Sequence, residues 1–155
     1  MLGQQADVNT KGLDQWTALH LAAKSGHVEI LKELLAQEGI EIEACSSMKR
    51  TPVHVAAEFD HAEVVKLLLA QGADINSRDF DESTPLHVAS QYGSLNTLDY
   101  LLKETKAELA AKNKFGYTAS DIAQNLSVRQ RFAIPEDPSQ LAGPTDALSS
   151  KQIQQ

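Results

Sequence analysis

Three histidines recur at nearly equal spacing along the chain, and they are the first candidates for chemistry. His20, His54 and His87 are separated by 34 and 33 residues. Imidazole is a frequent zinc ligand, but zinc needs its ligand nitrogens about 2 Å from one centre. If each histidine belongs to one of several stacked units, neighbouring imidazoles lie roughly 8–10 Å apart, at the distance between packed helices. We therefore predict no metal site, and we expect each imidazole to bind the Thr hydroxyl three residues earlier and nearby backbone groups.

Other residue patterns give little support for catalysis. The single cysteine, Cys45, has no basic residue nearer in sequence than Lys49 and no paired histidine, which argues against a catalytic thiol. The sequence contains no glycine-rich phosphate loop, no Gly-x-Ser-x-Gly elbow and no His-Glu-x-x-His motif. We predict that the protein is not an enzyme and uses no cofactor.

Composition narrows the remaining classes of protein. A chain of 155 residues is one compact domain or one short repeat array. Its net charge of −7 disfavours nucleic acid or an anionic membrane as the main partner. No apolar run approaches the roughly 20 residues of a membrane span. One cysteine cannot form an internal disulfide, so we expect a monomer in a reducing compartment, the cytoplasm or the nucleus.

A four-residue sequence recurs with the period of the histidines. Thr-Pro-Leu-His or a close variant begins at residues 17, 51, 84 and 118. Small residues follow in pairs at 22–23, 56–57 and 89–90, and leucine pairs stand at 34–35, 68–69 and 101–102. A Gly-Ala-Asp-Ile-Asn segment at 72–76 has a shorter counterpart at 6–9. Several features share one register, which indicates an array of structural repeats.

Local signals define the secondary structure of each repeat. Threonine followed by proline is a helix cap with proline at the first helical position, and it predicts short helices over about 52–59 and 85–92. A second helix opens near His61, and Gly72 ends it in the left-handed conformation. The polar segment that follows suits an extended finger. One such unit cannot bury its own apolar face, so stability must come from stacking.

Together these features resemble the ankyrin repeat family over about residues 1–132. The resemblance implies an all-α repeat solenoid of stacked helix-turn-helix ankyrin repeats joined by β-hairpin fingers. It also implies that the fingers and the first helices form a concave face that binds other proteins.

The repeat register divides the chain into consecutive segments. The end of a partial repeat is followed by three complete repeats, a capping repeat and a tail or linker rich in Pro, Ser and Gln: 1–9, 10–43, 44–76, 77–110, 111–132 and 133–155. In the capping repeat Ser120 and Asp121 replace an apolar residue and the histidine, and a terminal repeat requires such polarity. The start within a helix predicts either a module taken from a longer protein or an unusually bare first edge.

The aromatic residues are concentrated where the resemblance places the concave face. Six of the eight aromatics fall at those positions, and Trp, Tyr and Arg are enriched at interface hot spots. Charges of alternating sign on the fingers would orient a partner. The predicted partner-binding residues are Trp16, Met48, Arg50, Phe59, Arg78, Phe80, Asp81, Tyr92, Lys114, Phe115 and Tyr117.

Two of these residues have an alternative role, and three others have the strongest case for contact with a partner. Trp16 and Tyr117 precede the capping threonines, where side chains often pack along the finger instead. Phe59, Phe80 and Tyr92 are expected to form a patch near the centre of the concave face. They should be exposed in the free protein.

The predicted function is a non-catalytic module that binds a partner protein or peptide. Small four-repeat ankyrin proteins include inhibitors of cyclin-dependent kinases, so a free-standing inhibitor is one version of this hypothesis. The alternative is a regulatory ankyrin segment of a larger enzyme or channel that acts intramolecularly.

A modification is suggested at one finger. The residues before Asn76 resemble the context that asparaginyl hydroxylases accept in ankyrin fingers. The alternative is that Asn76 stabilises the turn through hydrogen bonds of its side chain.

Overall fold

The computed structural model describes residues 7–123 and 125–133 as a stack of antiparallel helix pairs. A short 3-10 turn at Leu13–Gln15 precedes the helices. Within the described residues there are seven α-helices: α1 Ala18–Ser25, α2 Val28–Leu35, α3 Pro52–Glu58, α4 Ala62–Ala70, α5 Pro85–Tyr92, α6 Leu95–Glu104 and α7 Leu126–Ala133. The all-helical repeat class predicted from the sequence is confirmed.

The first helix of each complete repeat begins with a reciprocal cap between threonine and histidine. In the second repeat the Thr51 hydroxyl accepts the His54 backbone N–H, and the His54 Nδ1 accepts the Thr51 backbone N–H at 3.2 Å. The other two complete repeats have the same arrangement. Pro52 stands at the first helical position, where its missing N–H leaves no bond unmade. The predicted helices at 52–59 and 85–92 are therefore present within one residue.

The core is aliphatic and runs continuously along the stack. Helix α1 packs against α3 and α3 against α5, while α2 packs against α4 and α4 against α6. Leu19, Val53 and Leu86 occupy one position in three successive repeats, and each is at most 1% exposed. Alanines beside them let neighbouring helices approach closely. Among the described residues the fully buried apolar side chains include no aromatic, so the rings are left for the surface.

The fingers are tight turns, whereas the sequence predicted β-hairpins. Each of three turns has two backbone hydrogen bonds, from Ser46 N–H to Arg50 O and from Lys49 N–H to Ser46 O in the second finger, with equivalents within 79–83 and 113–117. The described part of the chain contains no strand. Lys49, Glu82 and Gly116 have positive φ in these turns, as in three-residue hairpin loops, and within the described residues no ladder extends beyond them. Adjacent fingers are joined by backbone bonds such as Phe80 N–H to Met48 O at 3.0 Å.

The capping repeat is reduced compared with its neighbours. Its first helix is replaced by turns at residues 119–122, where Ser120 stands in place of a core leucine. Helix α7 is held by the buried Val128 and by an ion pair of 2.6 Å between Arg131 and Asp99 of α6. The predicted tail lies outside the described residues, apart from Ala133.

The opposite end of the stack exposes positions that are buried in later repeats. Leu21 of α1 is 55% exposed, whereas the equivalent Val55 is 1% exposed. Ile30 of α2 is likewise half exposed, and its counterpart Val64 is fully buried. The sequence register at 6–9 is reproduced in space, because Asn9 Oδ1 accepts a backbone N–H of the following repeat at 2.8 Å. Residues 1–6 lie outside the described part.

Candidate partner-binding face

The three repeated histidines are structural links between repeats. Each imidazole Nε2–H donates to a backbone carbonyl of the next finger, at 2.9 Å from His20, 2.8 Å from His54 and 2.8 Å from His87. Each Nδ1 accepts the N–H of its own capping threonine. The imidazoles are thus used on both sides, as predicted. Within the described residues no group of three possible ligands is arranged for a metal ion.

Burial holds these imidazoles neutral. It lowers the pKa of His54 from 6.5 to about 4, and it also lowers the pKa of His20 and His87. A second proton would have to enter at Nδ1, where the threonine N–H already points. The neutral form with hydrogen on Nε2 is therefore the form that links the repeats.

The candidate face carries a row of exposed rings. Phe59, Phe80 and Tyr92 are 40%, 54% and 48% exposed, as expected for the free protein. Met48, Phe115 and Tyr117 are also exposed. No ring–ring contact joins Phe59, Phe80 and Tyr92 in the described structure. Phe59 and Tyr92 instead each have a cation beside them, and these two cations define two groups of residues on the face.

The first group consists of Trp16, Lys24 and Phe59. The Lys24 ammonium lies 5.8 Å from the centroid of the Trp16 ring and 5.6 Å from that of Phe59, so it bridges the first and second repeats. Trp16 is half buried and its ring centroid lies 5.6 Å from that of His20. Trp16 therefore packs against the first helix of its own repeat, and its contact with a partner stays a prediction.

The second group consists of Arg50, Glu58 and Tyr92. The Arg50 Nη1 contacts Glu58 Oε1 at 2.6 Å, and its Nε contacts Asp79 Oδ2 at 3.3 Å. The Arg50 guanidinium also lies 6.0 Å from the centroid of the Tyr92 ring. Asp79 is almost fully buried and accepts the Ser83 backbone N–H at 2.9 Å. Arg50 is thus a structural residue of the finger as well as a neighbour of an exposed ring.

Charged residues on the fingers form the rim of the face. Arg78 Nη1 donates to the Glu82 carbonyl at 2.9 Å and to the Lys112 carbonyl at 2.8 Å, which ties the third finger to the fourth. The Lys114 ammonium contacts Asp81 at 2.9 Å and lies 5.3 Å from the centroid of the Phe115 ring. These predicted binding residues therefore hold the fingers together, and their contact with a partner remains a prediction.

Sequence reasoning missed two residues of the face, Lys24 and Glu58. Both stand seven residues after a capping threonine, the register that the resemblance already assigned to the concave face. The predicted set of binding residues included the aromatic residues at the neighbouring position and omitted these two charged residues.

Asn76 makes the structural hydrogen bonds that were the alternative to modification. Its side-chain Oδ1 accepts the Glu108 backbone N–H at 2.9 Å, and its own N–H donates to Asp74 Oδ1 at 2.9 Å. Asn9 has the same position in the preceding loop. These contacts account for an asparagine at this position, and hydroxylation of Asn76 stays a prediction.

The geometry defines a helical-repeat solenoid with an open face of rings and charges and with capped first helices at a period of 33–34 residues. The family described as "Ankyrin repeats (3 copies)" has a model that matches residues 1–79 and 45–113. The chain belongs to the ankyrin repeat family, whose members are generally non-catalytic protein-interaction modules.

Three relatives illustrate the settings in which similar repeats occur. A Caenorhabditis elegans homolog of transient receptor potential cation channel subfamily A member 1 is 39% identical over 107 residues, which is 69% of this chain and 9% of the relative. Subunit AVO2 of target of rapamycin complex 2 from Saccharomyces cerevisiae is 34% identical over 114 residues, 72% of this chain and 27% of the relative. Ankyrin repeat domain-containing protein 37 from Mus musculus is 44% identical over 52 residues, 34% of this chain and 32% of the relative.

This chain corresponds to only a part of each relative. It spans less than a third of the length of each of the three relatives. None of the three is named as an enzyme. In residues 7–123 and 125–133 no helix has the length and apolar character needed to cross a bilayer.

Proposed function

We propose that this protein is a non-catalytic binding module that recognises a partner protein or an extended peptide through its concave face. The observation that carries the proposal is the row of exposed rings, each ring of the two groups having a cation beside it. Exposed aromatic surface on one face is typical of an interaction site, and rings of this kind supply most of the energy at interface hot spots. We further propose that the module acts as a monomer in the cytoplasm or the nucleus.

The second candidate function is a regulatory segment that binds another part of its own polypeptide. The relatives support this second function, because the matching repeats make up only 9% of a channel homolog and 27% of a complex subunit. The same concave face would serve in both cases. Binding of the isolated module, in trans, to the remainder of its full-length protein would support this second function.

The test of the first function is affinity capture with a variant that lacks two rings of the face. Phe80→Ala with Tyr92→Ala should fold like the wild type, because surface substitutions usually change stability by no more than about 0.5 kcal/mol each. The loss of central aromatics should weaken partner binding by about thirtyfold or more. Quantitative mass spectrometry of the captured proteins measures this loss.

The control removes exposed apolar surface elsewhere. Ile30→Ala with Leu126→Ala alters two exposed side chains on α2 and α7, away from the candidate face. We expect the control to capture the same partner proteins as the wild type. The double variant Phe80→Ala with Tyr92→Ala should lose them. Identical capture by the two variants, with both of them folded, would remove the concave face from the proposal.

A further inference from the structure

Lys24 differs from the other cations that lie over rings of the candidate face because it has no carboxylate beside it. Three cations lie over rings of this face, and they belong to Lys24, Arg50 and Lys114. Arg50 contacts two carboxylates and Lys114 contacts one. Across residues 7–123 and 125–133, no carboxylate is within ion-pair distance of Lys24. The first group therefore presents an uncompensated positive charge on an otherwise acidic protein.

The surroundings of Lys24 suit a ligand with one negative charge and adjacent apolar atoms. The ammonium lies between two rings, at 5.8 Å from the centroid of Trp16 and 5.6 Å from that of Phe59. A ring attracts a cation but does not neutralise it. A carboxylate on the ammonium would add a charge-assisted hydrogen bond, and the ring surfaces on either side would cover the neighbouring side chain of the ligand.

We propose that the first group is a subsite for an acidic residue of a partner peptide. It takes an Asp or Glu carboxylate on the Lys24 ammonium, while the residue next to that carboxylate packs on Trp16 and Phe59. The inference rests on the proposed binding function of the concave face. A carboxylate fits better than a phosphate, since phosphate recognition uses clustered arginines and the guanidinium of Arg50 is already held by two carboxylates.

Selection from a random library of displayed peptides of about 12 residues tests the subsite. The wild type is compared with Lys24→Gln and with a matched control, Lys66→Gln. Exposed Lys66 also lies over a ring, 5.3 Å from the centroid of Tyr100, but on the second helix of its repeat and outside the candidate face. Peptides selected on the wild type should be enriched in Asp or Glu next to an apolar residue. Their affinity should fall about tenfold in Lys24→Gln and less than about twofold in Lys66→Gln.

Two further readouts do not depend on the loss of a side chain. The affinity of the wild type for a selected peptide should fall as salt concentration rises, because the contact is between opposite charges. The reversal Lys24→Glu should select peptides enriched in Lys and Arg in place of Asp and Glu. The denaturant midpoint of each variant verifies that the stack is intact.

The outcomes separate the subsite from the proposed function. Peptides that lose binding with Phe80→Ala and Tyr92→Ala, yet bind the wild type and Lys24→Gln equally, would overturn the subsite and leave the binding function standing. Failure to select any peptide, both with and without residues 134–155, would contradict both. Peptide binding that appears only after deletion of residues 134–155 would assign the subsite to the carboxylates of the chain's own tail, Glu136, Asp137 and Asp146, and overturn the proposal of a separate partner.

Discussion

Lowering the pH from about 7 to about 5 should reduce the stability of this protein, because its repeated imidazoles are held neutral in the folded chain. Burial lowers the pKa of His54 from 6.5 to about 4, and it lowers the pKa of His20 and His87 in the same direction. Below about pH 6.5 the unfolded chain therefore binds more protons than the folded chain. The stability is complete above that pH, and it is lost as the pH falls towards the lower pKa of the folded state.

The size of the loss follows from the shift at His54. One pKa unit corresponds to about 1.4 kcal/mol, so a fall from pH 7 to pH 5 should cost about 2 kcal/mol from His54 alone. The full loss, reached below about pH 4, is about 3 kcal/mol. His20 and His87 add to it. This is a large fraction of the stability of a small domain, which is usually 5–15 kcal/mol.

Urea unfolding at pH 7, 6 and 5, at constant ionic strength, measures the effect. Most carboxylates stay ionised in this range, so the slope reports mainly on histidines. His54→Gln should be less stable at neutral pH, and should lose about 2 kcal/mol less than the wild type between pH 7 and pH 5. His27→Gln is the control, because His27 is exposed at the start of α2.

The refuting result is equally direct. A free energy of unfolding that stays constant between pH 7 and pH 5 would show that the buried imidazoles do not control acid stability. If His54→Gln fails to fold, an NMR titration of the wild type replaces it. In that experiment, titration of the His54 imidazole near pH 6.5 would refute the reasoning, and hydrogen on Nδ1 would refute the assigned linkage between repeats.

Four other substitutions test how the stack is held, each by urea unfolding. Asp60→Ala should lower the free energy of unfolding by about 1–2 kcal/mol, because the carboxylate accepts the Thr97 backbone N–H in the first turn of α6 and because alanine tolerates the left-handed backbone there poorly. An unchanged midpoint would contradict the cap. Leu21→Ala should cost no more than about 0.5 kcal/mol and Val55→Ala more than about 1 kcal/mol; equal losses would mean that Leu21 is covered in solution. Arg50→Ala should lower the free energy of unfolding by about 2 kcal/mol, since it leaves the buried Asp79 carboxylate without its cation. An unchanged free energy of unfolding would leave Arg50 only its predicted role in binding.

The helices and the core could be predicted because their signals are local. A threonine three residues before a histidine sets the cap, and Pro52 fixes the first turn, so neither depends on distant contacts. The aliphatic core followed from the period of the alanines and leucines. The reduced first helix of the capping repeat was signalled by Ser120 in place of leucine, although its replacement by turns was not predicted.

The hydrogen bonds that side chains make across repeats could not be predicted, because they depend on side-chain conformations. Asp60 is an example: it stands at φ 60, where the equivalent residues are Gly26 and Gly93. The sequence alone suggests a poor helix end there. In the structure its carboxylate reaches the next repeat and accepts the Thr97 N–H at 2.8 Å, which offsets the strained backbone.

The two groups of the face differ in how firmly their cations are held, and this difference bears on recognition. Arg50 is fixed by ion pairs to Glu58 and Asp79, so the position of the cation beside Tyr92 is set before any partner arrives. Binding there costs little side-chain entropy. The Lys24 ammonium lies over two rings and has no ion pair in the described structure, and an exposed lysine loses rotamer freedom when it forms one. The second group therefore supplies a rigid anchor, whereas the first group adapts to the acidic residue that the partner offers.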